Sequence, residues 1–116
     1  MTDNQIKAQT RAWLETVIIA YNFCPFAQQA HKRGGIRYHV CNELDLERCL
    51  EALVRECIHL DTAPNILTTL LIYPKIFKAF DDYLDFLAIA ESLLIEQGYE
   101  GEYQLASFHP DYYFED

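Results

Sequence analysis

The run ILTTLLIY, Ile66 to Tyr73, constrains this chain more than any other stretch. It is apolar with little alternation, the pattern of a central strand in a parallel sheet, which is covered on both faces. A long helical pattern stands on each side of it. From Asn42 to about Leu60, the residues Leu46, Cys49, Leu50, Leu53, Val54 and Cys57 repeat as one apolar stripe. Asn42 is the expected cap, with Glu43, Asp45 and Glu47 near the positive helix end. From about Lys78 to Gln97 the polar face is narrow, comprising Asp81, Asp82, Asp85, Ser92 and Glu96, and Gly98 is the expected stop. Two shorter strand patterns complete the series: IRYHV, Ile36 to Val40, which alternates as a half-exposed strand would, and YQLASF, Tyr103 to Phe108.

Strand, helix, strand, helix, strand is the order of two crossover units, which run right-handed between parallel strands. The expected fold is therefore α/β: a three-stranded, mostly parallel sheet in spatial order 1-2-3, with two crossover helices and an N-terminal helical segment. That segment runs from about Thr2 to Tyr21. Trp13, Leu14, Val17, Ile18 and Tyr21 share a face, and Thr2 with Gln5 has the spacing of a capping box. Pro25 breaks it, having no amide donor and pushing its predecessor out of the helical region. PFAQQAHKR then reads as a new short helix with Pro25 first, Lys32 and Arg33 in the last turn and Gly34 as the stop.

At 116 residues the chain is expected to form a single α/β domain, residues 1–116, and with half of its residues hydrophobic it should fold. A formal charge of −9 argues against nucleic acid as a partner, because binding phosphates requires a basic face. It argues equally against charge-driven docking on anionic lipid. Charges such as Glu15 and Glu91 interrupt every long apolar stretch, and MTDNQIKAQTRAW has no signal pattern. No membrane association and a cytoplasmic location are expected. Cys49 and Cys57 stand eight residues apart on one predicted helix, ~12 Å along its axis, beyond disulfide reach. No C-x-x-C spacing marks a zinc site, so reduced thiols are expected.

The remaining question is why Cys24 stands at the break between two helices. If Pro25 is the first helical residue, Cys24 caps the helix, and its unpaired amides and dipole favour a thiolate. The alternative is a small hydrophobe filling a turn between Phe23 and Phe26. SFHPDYYF places His109 and Asp111 just past the last expected strand, the sheet edge where parallel α/β folds bind ligands. There His109 can serve as acid or base with Asp111 orienting it, or the segment is a turn that Pro110 and Asp111 shape. HKRGGIR is the one basic island; its Arg33 can draw an anionic substrate toward Cys24, though helix capping also accounts for Lys32 and Arg33.

NFCPFA and SFHPDYYF, with WLETVIIAYN before the first, resemble a bacterial family catalogued as domain of unknown function 1415. The resemblance covers nearly the whole chain and implies that Asn22, Cys24, Pro25, His109, Pro110 and Asp111 stand at motif positions. It implies no established activity and no particular cofactor. Family members continue past the histidine–proline segment through a stretch like Asn-Arg-Ser-Pro-Tyr-Pro and further helix. A C-terminally short domain with one bare helix face is therefore expected, either self-associating as a homo-oligomer or less stable than a longer form.

The leading expectation is a small enzyme, a cysteine-dependent hydrolase, transferase or thiol redox enzyme. Cys24 is its nucleophile or redox thiol, His109 and Asp111 are its partners, and Asn22 and Arg33 bind a small, anionic substrate. One alternative is a metal site formed by Cys24 and His109, with Cys41 as third ligand. The other is a non-catalytic subunit that binds a partner or a second copy through an apolar helix face.

Overall fold

The first helix starts where its cap was expected. In the computed structural model, which describes residues 1–19 and 25–106, Thr2 Oγ1 accepts from the Gln5 amide at 3.2 Å. Gln5 Oε1 in turn accepts from the Thr2 amide at 2.9 Å, closing the capping box. This helix, α1, spans Asp3–Trp13. A π-helix, Leu14–Ile19, continues it. The Thr16 hydroxyl donates to the Ala12 carbonyl at 2.7 Å, a back-bond that competes with the regular helical ladder. Helix α2 spans Pro25–Lys32, strand β1 Ile36–Val40, helix α3 Leu46–Thr62, strand β2 Thr68–Ile72 and helix α4 Phe80–Glu96.

Two compact units emerge from the packing, Met1–Asn42 with Ile58–Pro74, and Glu43–Cys57 with the chain from Lys75 onward. The first holds the sheet. β1 and β2 pair in parallel with Ile36 opposite Thr68 and Val40 opposite Ile72, and the Cys41 amide extends the ladder to the Ile72 carbonyl at 2.8 Å. α2 ends as Gly34 and Gly35 allow. Gly34 takes φ +65°, its amide donates to His31, and the Gly35 amide donates to Ala30 at 2.9 Å. Leu14, Ile18, Ala27, Ala30, Val40 and Cys41 are buried in this unit.

The second unit contains the first three turns of α3 and all of α4. Cys49, Ala52, Leu53, Cys57, Phe86, Ala90 and Leu94 are its buried apolar side chains. Cys49 and Cys57 are thus interior thiols, as their stripe indicated. Phe77 adopts φ +62°, the left-handed region, and its ring lies 4.3 Å from that of Phe86 and 6.5 Å from that of Tyr83, centroid to centroid.

Several expectations need correction. Among the described residues the sheet has two strands, not three. Residues 103–106 alternate in burial as a strand would but belong to no strand. Glycines at φ +83° (Gly98) and +82° (Gly101) turn the chain, and the amides of Glu102 and Tyr103 both donate to the Tyr99 carbonyl. Tyr103 then packs its ring on Tyr99, 5.3 Å away. Local hydrogen bonding and stacking thus claim the start of that segment, and among the described residues no strand edge pairs with it. α3 begins at Leu46, with Asp45 at the capping position: its carboxylate accepts from the Glu47 amide and its carbonyl from the Cys49 amide. Asn42 instead donates through its side chain to Asp3 Oδ1 at 2.9 Å. β1 does not alternate, since Ile36 to His39 are all half-buried.

Candidate functional site

The Cys24 segment is reached from both sides by helix. The π-helix ends at Ile19 and α2 begins at Pro25, the first position that proline suits. A polar contact joins these two flanks: His31 Nε2 lies 3.2 Å from Glu15 Oε1. Both side chains are partly exposed, and the attraction needs a protonated histidine, so its contribution is about 1 kcal/mol or less.

The flanks are tied to the sheet as well. The Arg11 guanidinium lies over the Tyr38 ring at 5.0 Å from its centroid, linking α1 to β1. Asn42, just past β1, holds Asp3 at the start of α1. At the far end of α2, the Gly35 carbonyl accepts from the Leu67 amide at 2.8 Å and the Thr68 amide at 3.3 Å, joining that helix to the entry of β2. The elements before and after Cys24 are therefore held by contacts from several directions.

Of the expected site residues, Asn22, Cys24, His109 and Asp111 lie outside the described residues. Arg33 follows the last turn of α2, exposed, with its amide donating to the Gln29 carbonyl at 3.2 Å. Cys41 is 4% exposed at the end of β1, and among the described residues no three His, Cys, Asp or Glu side chains gather as a metal site would require. His39 and His59 are half-buried. Sequence reasoning missed the π-helix and the Glu15–His31 pair. The β-branched run TVII hints at the first, whereas the second joins positions with no local signal between them.

Among the described residues no helix is long and apolar enough to cross a membrane. No curated protein and no solved structure matches the chain. A family model does, over residues 5–116: the chain belongs to the family described as protein of unknown function (DUF1415).

Proposed function

We propose that this member of the family is a small cytoplasmic thiol enzyme with Cys24 as its nucleophile or redox thiol. His109 takes the thiol proton and returns it to the leaving group, and Asp111 orients the imidazole. Asn22 and Arg33 receive a small anionic substrate, and the exposure of Arg33 suits that role. The observation that carries this reading is the frame around Cys24. A π-helical turn, a rare form frequently found at functional sites, runs up to the segment, and an eight-residue helix starts directly after the cysteine. A cysteine at such a start gains from the positive end of the helix dipole. The other three cysteines are at most 4% exposed, which leaves them poor nucleophiles.

Alkylation of the folded protein across pH, with the modified residue mapped by mass spectrometry, tests the proposal. Cys24 is expected to react first, with a half-maximal rate below the pH of about 8.5 typical of a free thiol. His109→Ala should move that midpoint upward while leaving the circular dichroism unchanged. A Cys24 that alkylates with an ordinary thiol profile, identical in the two proteins, would overturn the assignment of both residues.

A further inference from the structure

Charge is unevenly divided between the two units. The described residues of the second unit, 43–57 and 75–106, carry twelve Asp and Glu against four Lys and Arg, a formal −8. The first unit carries three acidic residues against five basic, a formal +2. The acidic unit also holds an open apolar groove of about 370 Å³. Leu44, Leu46, Phe77, Phe86 and Ile89 form its walls, and the polar side chains lining it are two carboxylates, Asp82 and Asp85. Asp82, Asp85 and Ile89 recur at helical spacing on α4 and so share one stripe. Among the described residues neither aspartate is ion-paired.

Two features decide what such a groove can hold. Leu44 is 71% and Ile89 43% exposed, so the walls are too open to enclose a small ligand, which pockets normally bury over most of its surface. They are suited to side chains inserted from a helix laid along them. The carboxylates and the surrounding −8 then select the sign of that helix. A second copy docking face to face would bring the same acidic surface against this one, and like charge opposes that symmetric pairing.

We propose that this groove docks a partner protein through a basic amphipathic helix, its apolar residues entering between Leu44 and Ile89 and its flanking Lys or Arg facing Asp82 and Asp85. This docking is independent of thiol chemistry at Cys24. The probe is a fluorescent Leu/Lys helical peptide of about 18 residues, compared with a Leu/Glu peptide having the same apolar positions. Anisotropy titrations use the full chain, the double variant Asp82→Lys/Asp85→Lys, the variant Ile89→Ser, and the double variant Glu100→Lys/Glu102→Lys. The last makes the same charge change in the same unit at residues that do not line the groove. Circular dichroism confirms folding of each, and all five altered side chains are exposed.

The full chain is expected to bind the Leu/Lys peptide and not the Leu/Glu peptide. The groove pair and Ile89→Ser should each weaken binding about tenfold, and the remote pair about twofold or less. Equal losses from the two charge pairs would show attraction to net charge alone and overturn the proposal. Equal binding of both peptides would reduce the groove to a merely adhesive apolar patch, and no binding at all would refute it directly. Sedimentation supplies the remaining arm: self-association abolished by Ile89→Ser, with no peptide binding, would assign the surface to a second copy instead.

Discussion

Thr69 and Tyr38 end in hydroxyl oxygens that are shut away from solvent with no hydrogen-bond partner among the described residues. An enclosed hydroxyl that gives up water for nothing costs about 1–3 kcal/mol, more than a typical net hydrogen bond returns. For Tyr38 the ring offsets that cost by receiving Arg11 on its face. Thr69 has no such compensation. Thr69→Val keeps the β-branched shape that strands favour and removes the orphaned oxygen. It should stabilise the protein by about 1 kcal/mol, read as a higher urea midpoint at unchanged slope. A fall in the midpoint would mean that the hydroxyl is hydrogen-bonded in the folded protein. Phe77 carries a different local cost, a left-handed backbone on a bulky residue, of order 1–2 kcal/mol. Its close stacking on Phe86 offsets that strain.

Between α2 and β1 the adjacent glycines serve different ends. Gly34 needs its positive φ, and a Cβ there would meet nothing within 4 Å. Gly35 needs space: an added Cβ would stand 2.9 Å from Leu67 Cγ and 3.4 Å from the Asn65 carbonyl oxygen. Gly34→Ala should therefore cost about 1 kcal/mol through backbone strain alone. Gly35→Ala should cost about 1–3 kcal/mol, because Leu67 must move where its amide is bound to the Gly35 carbonyl. Thermal melts of the two variants distinguish the causes, since adding Leu67→Ala should rescue the second and not the first. Equal rescue would place both effects in the turn.

The same elements show what could be read in advance and what could not. The bounds of β1 and α2 were legible because Pro25, Gly34 and Gly35 punctuate the chain locally. The start of α3 was displaced because Asn42, a good cap by type, is engaged by Asp3, thirty-nine positions away. Tyr103 to Ala106 looked like strand, but pairing depends on an available edge and Tyr99 takes the local donors first. The α4 face was legible as broadly apolar: Leu84, Ile89 and Ile95 remain exposed beside buried Phe86, Ala90 and Leu94. Of the candidate site, type and motif named Cys24, His109 and Asp111. The contact between the elements that flank the first, Glu15 with His31, is a pairing that only the folded chain produces.

At the scale of the whole molecule, the connection from β1 to β2 runs through α3, and among the described residues α3 is also the one helix that belongs to both compact units. This has a consequence in time. Two parallel strands separated by so long a segment must close a large loop before any ladder bond forms, and that entropy is spent early. A preformed α3 shortens the distance the loose chain must search, so its helicity should set the folding rate. Arg55, exposed in mid-helix with only a 4.0 Å surface pairing to Glu51, is a position where that can be isolated. Arg55→Gly removes about 1 kcal/mol of helix propensity. In stopped-flow refolding it should slow folding about fivefold and leave the unfolding rate nearly unchanged. Were the loss to fall on unfolding instead, the strands would be meeting before the helix that joins them, and the order of events would run the other way.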